Sequence, residues 1–117
     1  MFYKYNDIQY NNFYTIPKEF ILNKKFKKIS LESKLFYGLL LDRLNLSIKN
    51  NWFDKDGNYY FYFSVEETMK TFNISNKTAI KIYRELEECD LLFVKRQGVG
   101  KPNILYLKKI NFKKLDR

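Results

Sequence analysis

The sequence has no histidine and only one cysteine, Cys89, among its 117 residues. Without these side chains the chain cannot form a Ser-His-Asp triad, a Cys-His pair or a Cys/His zinc site. A single cysteine also gives no disulfide framework, which fits a reducing cytoplasm. Carboxylates are present, but Glu85, Glu87 and Glu88 are typical of a solvated helix surface. We therefore expect neither an enzyme nor a bound metal or cofactor.

Long apolar runs are also missing. The longest are of the size of Leu39-Leu40-Leu41, whereas about 20 residues are needed to span a bilayer. The N-terminus places Lys4 and Asp7 among asparagines and lacks the hydrophobic stretch of a signal peptide. We expect neither a membrane protein nor an exported one, and therefore a cytoplasmic location.

Basic residues dominate the charge. Lys and Arg number 22 against 13 Asp and Glu, which gives a formal net charge of +9. A small domain this basic attracts polyanions, first nucleic acid and then anionic membrane surfaces. The alternative is a chain that is merely rich in lysine, so the placement of the charges has to decide. Hydrophobic residues make up 45 % of the chain, enough for one domain with a single core.

A long helix is predicted in the first half of the chain. Ser30 provides its N-cap. Apolar residues then recur at helical spacing: Leu31, Leu35, Phe36, Leu39, Leu40 and Leu44. Tyr37 and Leu41 lie on another side, so we expect this core helix to be buried on more than one face, or to offer one face to a dimer.

Two further helices are predicted on either side of a short turn. Ser64 and Glu67 form an S-x-x-E capping box, which opens a helix over residues 65–72. Ser75 then caps a second helix over residues 76–88. This is the pattern of a helix-turn-helix, in which the second helix recognises DNA.

Three strands complete the pattern. The aromatic run at residues 59–63 precedes the two helices, and strands at residues 91–96 and 103–110 follow them around a glycine turn. This order predicts an α+β fold: a winged helix-turn-helix with an N-terminal aromatic arm.

The second of the two helices separates its charges as a recognition helix should. One stripe is apolar, with Ala79, Ile82, Tyr83 and Leu86. Basic residues occupy the opposite side in the first two-thirds, and acids gather at the end. An ordinary amphipathic helix is the alternative, but its solvated face usually mixes both signs. The DNA contacts predicted here are Asn76, Lys77, Thr78 and Lys81 at base edges and Arg84 at the backbone.

The glycine turn predicts a basic wing. Arg96 and Lys101 flank its two glycines and are expected to reach phosphates or the adjacent minor groove. The full set of predicted wing contacts is Lys95, Arg96, Gln97, Lys101 and Asn103. The two capping serines of the helix-turn-helix, Ser64 and Ser75, are predicted phosphate contacts.

Residues 1–14 form an arm in which aromatic rings alternate with polar residues. The rings belong to Phe2, Tyr3, Tyr5, Tyr10, Phe13 and Tyr14. An arm this short cannot bury them by itself, so they pack either on the same domain or on a second copy. We expect a homodimer through this arm, since tyrosine buries its ring while its hydroxyl stays satisfied.

Three segments resemble a known family. Residues 13–18 (FYTIPK), 39–47 (LLLDRLNLS) and 95–103 (KRQGVGKPN) closely resemble the RepA_N family of plasmid replication initiators from Gram-positive bacteria. The resemblance implies an N-terminal winged-helix domain, generally dimeric, that binds tandem repeats (iterons) in double-stranded DNA at a plasmid origin and initiates replication. It places the protein in the bacterial cytoplasm.

The resemblance also implies a division of the chain. Family members are longer and have a separate C-terminal domain, so we expect a fragment. Residues 1–14 would be the dimerisation arm, 15–112 the winged-helix domain, and 113–117 a tail or linker to the absent domain. Host replication proteins would be contacted through that missing region. Two alternatives stay open from the residues alone: a transcriptional repressor of the same fold, and a winged helix used for protein–protein assembly.

Overall fold

The computed structural model describes residues 1–7 and 12–110. Its helices are α1 (Glu19–Leu22), α2 (Leu31–Lys49), α3 (Val65–Phe72) and α4 (Asn76–Glu88). Its strands are β1 (Phe61–Tyr62), β2 (Leu92–Lys95) and β3 (Ile104–Leu107), and a 3-10 turn at Lys24–Phe26 links α1 to α2. Tyr10, one of the predicted dimer contacts, and the predicted tail at residues 113–117 lie outside the described residues.

Serine side chains start the three longer helices, as predicted. The hydroxyl of Ser30 accepts a hydrogen bond from the Ser33 backbone at the start of α2. Ser64 and Glu67 form the reciprocal capping box of α3, and Ser75 caps α4. Each cap satisfies backbone N–H groups that have no partner within their helix.

The turn between α3 and α4 depends on one left-handed residue. Asn73 has a φ of 53° and ends α3, a conformation that asparagine tolerates better than most residues. The chain re-enters a helix three residues later, at Asn76. The two helices pack on each other and form the predicted helix-turn-helix.

The strands form one antiparallel sheet in the order β1-β3-β2. Phe61, Val94 and Leu105 share a cross-strand position and face the core. Phe93 and Tyr106 pair on the opposite, outer face. With β2 and β3 as the wing hairpin, the α+β winged helix-turn-helix is confirmed.

The first strand is much shorter than the predicted residues 59–63. Only Phe61 and Tyr62 pair with β3. The backbone of Tyr60 is used elsewhere: its N–H donates to the Trp52 carbonyl at 3.0 Å, and its carbonyl accepts the Ser47 hydroxyl at 2.8 Å. The predicted extent was wrong because α2 and the preceding loop compete with β3 for the same backbone groups.

Helix α2 lies at the centre of the core and packs on α4, β1 and β3. Its Phe36 and Leu40 are fully buried. Tyr37 is also buried, which confirms burial on more than one face. Leu31 and Leu35, predicted for the buried stripe, are instead 77 % and 44 % exposed. The prediction was wrong for these two because helical spacing decides which residues share a face, but not which face is covered.

Among the described residues, no helix has the length and apolar character needed to cross a membrane.

Candidate nucleic-acid interface

Helix α4 turns its apolar stripe into the core and its basic stripe to solvent. Its four apolar residues are at most 5 % exposed: Ala79, Ile82, Tyr83 and Leu86. Lys77, Lys81 and Arg84, on the opposite side, are all exposed. The arrangement leaves three cations along one face of the helix, available to a polyanion.

A buried hydrogen bond joins the two helices of the helix-turn-helix. The hydroxyls of Thr68 on α3 and Tyr83 on α4 lie 2.9 Å apart, and the Thr68 hydroxyl also donates to the Ser64 carbonyl. Burial raises the pKa of Tyr83 to about 12. The ring of Tyr83 packs edge-on against Phe36 of α2, with ring centroids 5.2 Å apart. Tyr83 therefore fixes α4 against both α3 and the core helix.

Glu85 also fixes the recognition helix and is not the solvated surface acid that the sequence suggested. Its carboxylate accepts hydrogen bonds from the Ser30 N–H at 3.2 Å and from the Ser30 and Ser33 hydroxyls at 2.6 Å each. Desolvation raises the pKa of Glu85, but these hydrogen bonds outweigh it and lower the pKa overall. A carboxylate at the N-terminus of α2 also complements the helix dipole. The prediction was wrong because Ser30 is distant in sequence.

Of the polar residues at the start of α4, Ser75 and Asn76 are exposed and Thr78 is half-buried, and all three take part in local contacts. The hydroxyl of Ser75 accepts from the Thr78 N–H and donates to the Thr78 hydroxyl at 3.0 Å. The amide of Asn76 contacts the Met69 sulfur at 3.8 Å. The Ser64 hydroxyl, predicted to contact phosphate, already bonds within its capping box. The contacts of Ser75, Asn76 and Thr78 orient the N-terminal end of α4, the end expected to approach a DNA groove.

Ile80 is an additional surface residue that the sequence analysis did not identify. It is 42 % exposed, one residue beyond the buried Ala79 and outside the apolar stripe. Its helical position puts it beside Lys77 and Arg84 rather than toward the core. The sequence could have identified this residue, because Ile80 is an isoleucine that lies outside the apolar stripe of the helix. An apolar side chain on such a face fits the methyl group of thymine.

A side-chain hydrogen bond and two glycines shape the turn of the wing. Gln97 donates to the Pro102 carbonyl at 2.8 Å across the hairpin. Gly98 and Gly100 have φ of 102° and 78°, a conformation that a side chain would strain. Strand pairing stops at Lys95 and Ile104, so the predicted strands at residues 91–96 and 103–110 were too long.

Arg96 points from the wing toward the recognition helix. Its guanidinium forms an ion pair with Glu87 of α4 at 3.1 Å, yet its side chain remains 62 % exposed. Arg84, Arg96 and Asn103 line a groove of about 410 Å³ between α4 and the wing. The structure therefore brings one wing cation, one wing amide and one helix cation together at a single cleft.

Lys95 lies on the other face of the sheet. It follows the buried Val94, and alternation along β2 turns it outward beside Phe93 and Tyr106. Lys101 is exposed near the hairpin tip. Lys95 therefore lies on the face of the sheet that is turned away from the recognition helix.

The described arm residues keep their rings in solvent, although the base of the arm touches α2. Phe2, Tyr3 and Tyr5 are 90 %, 74 % and 99 % exposed. Phe13 and Tyr14 border α2 in a cleft near Gly38 and Leu46, but they too are about half exposed. The arm therefore presents apolar surface that this domain does not bury.

Solved structures resemble this chain closely. One, described as "N-Terminal domain of DNA binding protein", is 43 % identical, covers 96 % of this chain and 88 % of its own, and has a TM-score of 0.78. "Structure of Rep-DNA complex" is 44 % identical over 94 % of this chain and 87 % of that one, with a TM-score of 0.78. "Structure of MDR initiator" is 41 % identical over 95 % and 90 %, with a TM-score of 0.76.

A curated relative is similar in sequence as well. The "41 kDa protein" of Lactobacillus helveticus is 30 % identical over 101 residues, which are 86 % of this chain. The chain spans 29 % of the length of that relative. Residues 12–117 match the family described as "Replication initiator protein A (RepA) N-terminus". The winged helix-turn-helix described above thus belongs to the RepA_N family of replication initiator N-terminal domains.

Proposed function

We propose that this domain binds double-stranded DNA at tandem repeats of a plasmid origin and so takes part in initiating plasmid replication. The observation that carries the proposal is the exposed cationic face of α4, with Lys77, Lys81 and Arg84, beside the Arg96 wing. Family membership and the similarity to a Rep–DNA complex support it. The proposed role is binding, without a catalytic step or a cofactor of the domain itself, in the bacterial cytoplasm.

In the proposed mode, the N-terminal half of α4 enters the major groove. Its dipole directs positive potential toward the phosphates, and Lys77 and Lys81 approach base edges. Arg84, near the wing, contacts the DNA backbone. Arg96 reaches a phosphate or the minor groove by exchanging its partner Glu87, because an exposed ion pair contributes only about 0–1 kcal/mol.

We propose that the domain acts as a homodimer through its arm. Two groups of exposed apolar side chains support a dimer. One consists of the arm rings, which are exposed in residues 1–5 and half-exposed at Phe13 and Tyr14. The other consists of Leu35 and Leu46 on α2, which are 44 % and 45 % exposed. Together they offer an apolar surface on the arm and the core helix. A two-fold dimer would set two recognition helices on one duplex at a fixed spacing. Host replication proteins are further proposed partners.

The test compares a duplex with origin repeats and a scrambled duplex of the same composition. Lys77→Ala and Lys81→Ala should each weaken binding to the repeats by about 1–3 kcal/mol and weaken binding to the scrambled duplex less. Lys55→Ala, which removes the same charge from the exposed loop after α2, is the matched control and should change neither. With about six phosphate contacts, log K should fall with log salt at a slope of about −5.

Two results would overturn the proposal. A salt slope near zero would show that the domain does not bind DNA through its cations. Equal losses of affinity for both duplexes in Lys77→Ala would show that this residue does not contribute to sequence recognition by α4. Footprinting on the source replicon locates the sites. Protected sites confined to promoters would assign the domain to a repressor instead of an initiator.

A further inference from the structure

The outer face of the sheet bears a row of aromatic rings that the duplex-binding surface does not use. The row runs Phe93, Tyr106, Tyr60, Tyr62, with successive ring centroids 5.9, 6.1 and 5.9 Å apart. It crosses all three strands, from β2 through β3 to β1. Phe93 is 51 % and Tyr62 45 % exposed, so at least the two ends of the row offer ring surface to solvent.

The row is separated from the recognition helix by the sheet itself. Leu92 and Val94 of β2 face inward and are buried, and β2 packs on α4. Phe93 and Tyr106 point the other way and line a groove of about 1020 Å³. A ligand in this groove would leave the basic face of α4 accessible.

The charges around the groove suit a polyanion. Lys95, Lys108 and Lys109 line it, and among the described residues Lys95 and Lys109 form no ion pair. Lys108 is paired with the exposed Asp90. The cations thus lie next to the ring surface rather than apart from it.

Asp54 is the one acid in the lining, and its oxygens are already engaged. One accepts from the N–H groups of Asp56 and Asn58 at 2.9 Å each, and the other accepts the Tyr106 hydroxyl at 3.1 Å. These bonds, led by the backbone bond from Asn58, lower the pKa of Asp54. The carboxylate therefore orients Tyr106 within the row.

We propose that this face binds a single strand of DNA, with bases stacked on the aromatic row and phosphates beside the lysines. Aromatic rings on a surface with flanking cations bind unpaired strands without sequence preference, because every base has a π-face. A paired duplex keeps its bases stacked on each other and cannot use the rings in this way. The domain would thus hold duplex on α4 and unpaired strand on the sheet.

The experiment measures anisotropy of a labelled 20-nucleotide oligo(dT) with the 117-residue chain at low salt. Phe93→Ala should weaken binding about tenfold, and Phe93→Tyr, which keeps a ring, should restore it. On an abasic oligonucleotide of the same length, wild type and Phe93→Ala should bind equally, because only the charge contacts remain. Thermal unfolding of each variant checks that the fold is intact.

Binding to the repeat duplex distinguishes this single-strand site from the proposed duplex site on α4. Phe93→Ala should bind the duplex as wild type does, whereas Lys77→Ala should weaken duplex binding and keep oligo(dT) binding. Equal loss of oligo(dT) binding in both variants would overturn the proposal and place the strand on α4. A change in molar mass on Phe93→Ala with unchanged oligo(dT) affinity would also overturn it and assign the row to a contact between copies.

Discussion

At the scale of single residues, Glu85 joins the recognition helix to the core helix. Its carboxylate joins the C-terminal half of α4 to the N-terminus of α2 through Ser30 and Ser33. Hydrogen bonds to a charged group contribute about 1.5–3 kcal/mol each at most, and part of this is offset by desolvation. Since α4 holds the cationic face, Glu85 supports DNA binding without touching DNA.

Replacing this carboxylate gives a pH-dependent prediction. Glu85→Gln should lower the free energy of unfolding by about 1–3 kcal/mol at pH 7. Because the folded pKa of Glu85 lies below its ordinary value of 4.5, its contribution is present above that pH and is lost as the pH falls through the folded pKa. Urea unfolding at pH 7 and at about pH 3 measures the difference, which should shrink in acid.

The control is Glu88→Gln, which removes an exposed carboxylate from the same helix. It should leave the stability unchanged at both pH values. A difference between Glu85→Gln and wild type that stays constant with pH would mean that the charge of Glu85 does not stabilise the fold.

Ile80 gives a second prediction at this scale. Ile80→Ala should weaken binding to a thymine-containing repeat by roughly 1 kcal/mol, since apolar area at the contact is lost. Replacing thymine by uracil in the repeat deletes only the methyl group. This replacement should weaken binding by wild type by a similar amount and leave binding by Ile80→Ala unchanged. Lys77→Ala should remain sensitive to uracil. If Ile80→Ala and wild type respond to uracil alike, Ile80 does not contact a thymine methyl.

At the scale of elements, α2 closely contacts Thr15, the residue that directly follows the arm. A Cβ on Gly38 would lie 2.7 Å from the Thr15 carbonyl oxygen. Glycine inside a helix costs about 1 kcal/mol relative to alanine, so its presence here has to be explained by the close approach of the arm. The base of the arm is therefore packed on α2, while the rings beyond it stay in solvent.

Gly38→Ala should show that close approach. Although alanine favours the helix, the clash with Thr15 should lower the free energy of unfolding by about 1–3 kcal/mol and make residues 12–16 more accessible to protease. Lys34→Ala, in the same helix, is the control for helix propensity and should not loosen the arm. A Gly38→Ala variant more stable than wild type would contradict docking of the arm at α2.

The wing carries Arg96 beside the recognition helix. Its ion pair with α4, Arg96 to Glu87, is largely exposed, and such pairs contribute little to stability. The Gln97–Pro102 hydrogen bond and the glycine turn shape the hairpin itself. A wing with a defined shape and an exchangeable arginine suits contact with phosphates, because a DNA backbone presents a row of negative charges where Glu87 presents one.

The whole molecule is predicted to pair through its arm. Deleting residues 1–12 should convert a dimer to a monomer in light scattering and steeply weaken binding to a duplex that carries two repeats. Binding to a single repeat should change little, since one recognition helix suffices there. Tyr3→Ser combined with Tyr5→Ser in the full chain removes rings without shortening the arm. A truncated protein that stays dimeric would move the interface away from the arm.

The sequence by itself determined the features that depend on neighbours along the chain. Ser30, Ser64 and Ser75 cap their helices because each hydroxyl needs only the N–H three residues on. The apolar and basic faces of the 13-residue helix α4 follow from the spacing of its residues along the sequence, because every α-helix has the same repeat. The order of elements, and with it the winged helix-turn-helix, needed no distant contact.

Only the tertiary structure decided what depends on residues far apart. Glu85 contacts Ser30, 55 positions away in the sequence. Leu31 stays exposed because, among the described residues, no element covers that side of α2. Lys95 faces away from α4 because the pairing of β2 with β3 buries Val94 and turns its neighbour outward. The local sequence pattern determines which side chains share a face of a helix or strand. Packing against elements that are distant in sequence decides which face is buried and which groups the other face contacts.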